Sequence, residues 1–508
     1  MKTLYIKPFR YTVALILALM INTSCLDKPL ENERLAGDID YTQSENMVLL
    51  LYGAYAELNS LQWETFPLIA VRGDDVDPAG DQVPLIDTDE FKYDRNFWIY
   101  NSTWLNLYSD LIYWHGAMEE IEKYQDAGAN EALAQQYIAE IKVMRSFELL
   151  QLARLWGSIL IPRVSQPGDL YNVQLSSFDE VMQHISDQMD EAIPFLANLR
   201  PNQRTDVPGG ITRHTALAVK AMANLELKNY QAVADATGQI ISSNLFSLEN
   251  DYYQLFKVPG KLNNENLLEL QYSDYGTGTG TVNSYLYEFF GPGSWTPAVS
   301  GAGGGWGFWE PTVKYIKFML DRGEQERLQT TVLFTPDGIA QIESDYGPLP
   351  AWVTNVTPDG DVFNNHVRYD FLSGKHYLPS TQLTPGRTTY GTNKNFICIR
   401  YAEVLLMHAE ALVSGATSSV KSAAEAVSDV RIRAGLGSVG TVTLDDVLDE
   451  KYAEFGMEWG IRFHDLVRHN RTTELDYEGR AFSIDAHRFL PYPLAQQGIL
   501  PQLRDTND

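Results

Sequence analysis

Four carboxylates fall within eight residues at Asp74-Asp75-Val76-Asp77-Pro78-Ala79-Gly80-Asp81, a density that invites a test for calcium. The run begins like an EF-hand loop at Asp75, with Gly80 at the sixth place. However, Ala79 fills a ligand position and Ile86 stands where the bidentate glutamate belongs, which excludes that motif. The acids are expected to cap and solvate a turn, with Asp74 or Asp75 facing a ligand. A looser structural calcium site is the alternative. No His-Glu-x-x-His zinc helix and no Gly-x-Ser-x-Gly elbow occurs. Gly301 to Gly307 (GAGGGWG) is glycine-rich, but no Gly-Lys-Ser/Thr follows it and it lacks the strand–turn–helix setting of a dinucleotide site. The nine histidines are scattered. With 66 acidic residues, counting alone does not exclude a glycosidase pair. No catalytic residue, resident metal or cofactor is assigned.

The aromatic residues carry a sharper expectation. Sugars stack their C–H faces on Trp and Tyr while neighbouring Asn, Asp and Arg fix the hydroxyls. Trp98, Tyr100 and Asn101 close a loop zone over residues 70–101, and Trp295, Trp306, Phe308 and Trp309 cluster in a glycine-rich stretch. Glycines beside a Trp let the backbone present its ring without steric cost. Trp98, Tyr100, Asn101, Trp295, Trp306 and Trp309 are therefore the candidate ligand contacts, with Asp74 and Asp75. The competing reading of Trp306 and Trp309 is that they staple the start of the helix beginning at Thr312. Trp104, Trp114, Trp156 and Trp459 sit within helical patterns and are expected in the core.

Helices must hold these residues. Apolar stripes of helical period run over residues 45–59, 103–123, 131–156 and 177–199, then over the pairs 212–227 with 230–242 and 400–413 with 418–434. Ser177 and Glu180 have capping-box spacing. Alanines recur where paired helices must approach closely, at Ala216, Ala218, Ala221 and Ala223 and again at Ala402, Ala409 and Ala411. Small residues at this spacing, with an aromatic near the hinge, suggest tetratricopeptide-like helix pairs, about four of them. Between residues 244 and 395 the texture turns to Gly, Pro, Thr, Asn and aromatics, with short strand-like runs such as 267–272 and a brief helical signal at 312–321. The expected fold is mostly α, one domain over 41–508. Helical repeats over about 41–243 and 396–470 frame a loop-rich insertion over about 244–395, where binding residues concentrate.

The first residues concern the compartment. Lys2, Lys7 and Arg10 precede an apolar run over 11–21 with the length of a signal-peptide core, and Asn22-Thr23-Ser24-Cys25 follows it. Residues 1–24 are read as a signal peptide, Cys25 as a lipidated first residue, and residues 25–40 as a flexible acidic tether. Residues 1–24 carry three positive charges and no acid, so their removal takes the net charge from −27 to −30. A body this acidic repels nucleic acid and anionic surfaces and suits a neutral or cationic ligand.

Five blocks along the chain resemble the SusD/RagB family of outer-membrane nutrient-binding lipoproteins. They are Met144-Arg145-Ser146-Phe147 through Leu155-Trp156-Gly157 to Pro162, the helix over 399–411 (IRYAEVLLMHAEA), Val430 to Leu436, Glu450 to Arg468 (EKYAEFGMEWGIRFHDLVR), and Pro491-Tyr492-Pro493. The charges in these blocks, Glu403, Glu410, Arg431, Arg433, Glu458, Arg462 and Asp465, are read as ion pairs locking the terminal helices against the repeats rather than as an acid–base pair. The resemblance implies a SusD-like fold and a non-enzymatic, lipid-anchored protein of the outer membrane, facing outward. It implies that oligosaccharide is bound and passed to a partner SusC-like TonB-dependent transporter. Peptides or another non-glycan nutrient, a surface scaffold without small ligand, and a glycan-degrading enzyme are the alternatives.

Overall fold

The computed structural model describes residues 39–276, 284–385, 390–391 and 393–504. Cys25, the signal peptide and most of the tether lie outside the described residues. Helices dominate, as the apolar periodicity predicts, and the strands form only two-stranded pairs among the described residues. The frame is built from α1 (Met47–Leu58), α2 (Trp98–Asp126), α3 (Glu131–Trp156), α4 (Phe178–Ala192), α5 (Arg213–Glu226) and α6 (Tyr230–Ser242). It continues with α7 (Tyr401–Val413), α8 (Ala423–Arg433), α9 (Leu444–Phe455) and α10 (Ile461–Arg468).

Local chemistry sets the ends of these helices. Asn130 caps α3 by accepting from Leu133 N at 3.0 Å, and α3 stops at Gly157, whose φ of +74° a side chain would disfavour. The Ser177/Glu180 capping box opens α4. That helix ends at Ala192, short of the expected Leu199, because Pro194 lacks the N–H that the next turn needs; a 3₁₀ turn over Ile193–Phe195 follows. Consecutive helices pack on one another from α2 through α6, and α6 then packs on α7. The alanines explain the close approach: Ala216, Ala218, Ala221 and Ala223 of α5 and Ala402, Ala409 and Ala411 of α7 are all buried.

The insertion leaves after α6 and returns before α7. Its neck is an antiparallel pair, Asn266–Leu270 with Phe396–Arg400, and Tyr401 N donates to Glu265 O at 2.8 Å where the second strand runs into α7. The insertion is more helical than its composition suggests. Besides the expected helix Val313–Asp321, it holds Ser284–Phe290, Gln325–Thr331 and Pro336–Tyr346, all short enough to leave little periodic signal. Its rings Tyr287, Phe290, Trp309, Tyr377 and Phe396 share one core with frame residues such as Leu149 and Leu405. A smaller cluster around Tyr315, Met319, Leu328, Phe334 and Tyr452 closes the insertion against α9.

Trp104, Trp114, Trp156 and Trp459 are buried as expected. The terminal-block charges pair as expected too, with partners from the insertion that the blocks alone do not reveal. Glu454 takes Arg327 at 3.2 Å together with Arg400 and Arg433, while Glu458 takes Arg400 at 2.8 Å and Lys375 at 2.7 Å. Arg431 meets Glu450 at 3.2 Å, and Glu410 meets Lys451 at 2.7 Å and Arg468 at 2.9 Å. Asp465 meets Lys451 at 2.6 Å. Glu403 differs: among the described residues it has no ion-pair partner, and burial pushes its carboxyl up to about 7. Among the described residues no helix is long and apolar enough to cross a membrane.

Candidate ligand-binding face

The first loop zone and the insertion meet along a short antiparallel ladder, Val76–Pro78 with Trp309–Pro311. Ala79 N extends it by donating to Phe308 O at 2.9 Å. This seam brings Trp306, from the glycine-rich run, to the N-terminus of α2 and to Trp63 in the connection after α1. Trp63 is the hub. Its ring centroid lies 5.8 Å from Trp98, 5.8 Å from Trp306 edge-on, and 5.0 Å from Phe289 in a stacked arrangement. Phe289 in turn stacks on Phe308 at 5.4 Å. Trp98 is 47% exposed, and Trp63 and Trp306 are half-buried.

The glycine run holds Trp306 by its backbone. Trp306 N donates to Glu288 O at 2.6 Å, Gly307 N to Gly291 O at 2.9 Å, and Phe308 N to Phe289 O at 3.2 Å. Gly307 has φ +65°, and a Cβ there would strike the Tyr369 ring, so glycine is required. Arg368 completes the edge: its guanidinium lies 4.9 Å over the Phe308 ring and its Nη1 donates to Trp306 O at 3.1 Å. The arrangement offers flat apolar faces beside a cation with donors to spare, which is what stacking and hydroxyl recognition need.

Of the residues expected from the sequence, the structure brings Trp98 and Trp306 together. It places the others elsewhere. Tyr100 is fully buried, its hydroxyl 2.7 Å from Thr88 Oγ1. The reason is that α2 starts at Trp98, so residues 98–101 are helix and not loop. Two residues along a helix turn a side chain about 200° away, from the exposed face to the core. Asn101, half-buried, accepts from Gln496 Nε2 at 2.8 Å and so ties α2 to the C-terminal region. Trp309 is fully buried among Phe66, Phe289 and Phe290, with centroids 6.1–6.2 Å away. Trp295 lies on the strand Trp295–Thr296, paired with Val362–Phe363; it stacks on Phe363 at 6.3 Å and meets Tyr390 edge-on at 6.0 Å. That is a second ring group, outside the Trp63 cluster.

Asp74 and Asp75 do not face a ligand, and they do not solvate a turn. Asp74 is fully buried and paired with Arg462 Nε at 2.8 Å and Lys314 Nζ at 2.7 Å. Asp75 accepts from Met457 N at 2.8 Å, and burial pushes its carboxyl up to about 7. Farther along the run, Asp77 is tied to Arg480, which also holds Asp89. Among the described residues no group of three or more His, Cys, Asp or Glu is arranged to hold a metal ion. Sequence reasoning missed Trp63 and Arg368. Trp63 had the same signal as Trp98, an aromatic just outside a helical stripe; Arg368 had none.

Fold and face together define a helical scaffold whose insertion helps present a partly exposed aromatic surface. A model described as the SusD family matches residues 264–488. A SusD-like protein of Bacteroides ovatus is 23% identical over 380 residues, which covers 72% of this chain and 65% of that relative's length. A solved laminarin-binding SusD-like protein superposes with a TM-score of 0.73 at 20% identity, covering 90% of this chain and 97% of its own. Surface glycan-binding protein A from Bacteroides thetaiotaomicron, solved with laminarihexaose, gives 0.72 at 19% identity, covering 91% and 98%. Over residues 264–488 the chain is thus similar to the SusD family, and its fold is that of the solved SusD-like proteins.

Proposed function

We propose that this chain binds oligosaccharide on the face formed by Trp63, Trp98 and Trp306, without chemical turnover, and delivers it to a partner SusC-like TonB-dependent transporter. It does so as a lipoprotein of the outer membrane, anchored through Cys25 and facing outward. The observation that carries the proposal is the ring cluster itself. Three indoles from three distant segments converge at the surface, one of them half exposed, where a soluble protein would normally bury such area. The names of the similar solved proteins, two of which bind laminarin or laminarihexaose, support glycans as the ligand class. The acidic body agrees with a neutral or cationic ligand. Import itself needs a channel. A partner transporter would supply it.

The test is calorimetry of the full chain, purified in detergent, against neutral oligosaccharides that include laminarihexaose. Trp98→Ala should weaken binding by roughly 0.5–2 kcal/mol, a stacking-sized amount, with an unchanged melting temperature. Unchanged affinity for every glycan bound by the wild type would move the site elsewhere. A large fall in melting temperature would show that the ring is core.

A further inference from the structure

A second recess shares a wall with the aromatic face. The connection that carries Trp63 also contributes Ser60, Gln62 and Thr65 to a cleft of about 190 Å³. The other walls are Glu57 at the end of α1, Asn106, Ser109 and Asp110 on α2, and Glu148 on α3. Asp110 faces both Glu57 and Glu148. Among the described residues no Lys, Arg or His forms an ion pair with any of the three. Every other buried carboxylate cluster described above, by contrast, is matched by guanidinium or ammonium groups. The remaining titratable group facing the triad is the Tyr113 hydroxyl, which Glu57 influences.

Polar atoms that are not acids point the same way. Thr65 is 1% exposed and its Oγ1 has no hydrogen-bond partner; the buried Asn106 Nδ2 has none either. Unpaired buried polar groups of this kind are rare, because each forfeits its hydration without return. Two in one open cleft, one a donor and one a hydroxyl, beside acidic groups without a counter-charge, describe a site built for a ligand that carries positive charge and both accepts and donates hydrogen bonds, as an amino sugar with its hydroxyls does. The cleft also lies in line with the platform. Trp98, Ser102 and Ser109 share one face of α2 with Asp110 on its flank, and the twelve helical steps from Trp98 to Asp110 rise about 18 Å, within reach of a short oligosaccharide.

We propose that this cleft is an extended subsite that takes a protonated amino group carried by a sugar unit of the same glycan, so that the protein selects an amino-sugar polymer. The proposal rests on the glycan-binding reading of the aromatic face. In the empty cleft Asp110 and Glu148 are held protonated: burial, with the neighbouring carboxylates, pushes Asp110 up to about 8 and Glu148 well above the carboxylate range. An entering ammonium ionises them, so binding releases protons to solvent and tightens as pH rises toward 8, until the ligand amine itself loses its proton.

The experiment titrates the full chain in detergent with a glucosamine tetramer, with its fully N-acetylated counterpart, and with calcium chloride. Each titration is run at two pH values and in two buffers of different ionisation enthalpy. The amine-bearing tetramer should bind at least about ten-fold tighter than the acetylated one, with a buffer-dependent heat that reports proton release. The Asp110→Asn/Glu148→Gln double variant should lose that preference while keeping its affinity for whichever neutral glycans the platform binds. Three results would each overturn the proposal: equal affinity for the two tetramers, a preference that survives in the double variant, or a heat from calcium alone that the double variant abolishes. If neutral glycans still bind in a Trp98-dependent way, the subsite fails and the platform stands. If the amine preference appears but Trp98→Ala leaves all binding unchanged, the platform reading fails instead.

Discussion

Replacing Asp74 by Asn separates a ligand contact from a structural charge. Asp74 is buried, with Arg462 at 2.8 Å and Lys314 at 2.7 Å on its carboxylate, while Arg462 also lies 3.9 Å over the Tyr452 ring. Asn keeps the shape and removes the charge. Arg462 is then left in a site that has withdrawn it from water, whereas Lys314 still reaches Glu474 at 3.1 Å and solvent. Breaking a buried pair costs about 3–5 kcal/mol, and the retained Lys314 route argues for the lower end, near 3 kcal/mol. Unfolding 508 residues at roughly 2 cal/mol/K each gives about 1 kcal/mol per degree, so the melting temperature should fall by about 3 °C. Calorimetric melting and a urea titration would measure it, with glycan affinity measured on the same preparation. Affinity should change by less than about two-fold, because Asp74 has no exposed surface to offer and its backbone carbonyl, which Asn retains, still holds the seam through Thr312 and Tyr452. An unchanged melting temperature with lost affinity would refute the reasoning and return Asp74 to the binding site.

The buried, unpaired Glu403 makes stability depend on pH. Its folded pKa of about 7 lies above the ordinary value, so its contribution is full below about 4.5 and lost as pH rises through 7. Glu403→Gln should therefore reduce the loss of urea stability between pH 5 and 8 by on the order of 3 kcal/mol, and equal losses in variant and wild type would refute this. Gly307→Ala places a Cβ against Tyr369 in a left-handed backbone position, so it should lower stability by roughly 1–3 kcal/mol and weaken glycan binding at the same time. Binding and stability that both match wild type would free Trp306 from that backbone constraint. A tag on this chain should recover a TonB-dependent barrel from gently extracted membranes, across an interface above roughly 1,000 Å². Cys25→Ala should release the chain from those membranes; retention in the membrane fraction would reject Cys25 as the anchor.

The frame was legible because its signals are local. Periodicity, the Asn130 and Ser177 caps, Gly157 and the paired alanines all act within a few turns, and α3 and α6 run from the first to the last residue expected. The N-terminus of α2 was not legible. Its cap residue Phe97 makes no side-chain cap, so nothing marks the helix as starting at Trp98, and Tyr100 reads as loop. The acid run misled for the opposite reason. Its partners Arg462 and Met457 lie 388 and 382 residues away, and a window that sees only Asp74 to Asp81 sees only solvated charge. Trp309 and Trp306 are three residues apart, yet one is core and one is surface. That difference is decided by which of them joins the ladder to Val76–Pro78.

The same seam explains why the buried charges belong to the account of function. A ladder of three residues cannot fix its own register, since a short two-stranded pair is marginal in water. Here the register is pinned from the side. Thr312 donates through Oγ1 to Asp74 O at 2.7 Å and through its backbone N to Asp75 O at 3.2 Å, while the Tyr452 hydroxyl donates to the same Asp74 carbonyl at 2.9 Å. The Asp74 carboxylate is locked to Arg462 of α10, and the Asp75 carboxylate to the backbone of Met457. A slip of one residue would turn the Trp309 side outward and carry Trp306 out of reach of Trp63. The terminal charged block and the first acidic run thus act at a distance on the surface rings. They set where Trp306 stands relative to Trp98, while touching no ligand themselves.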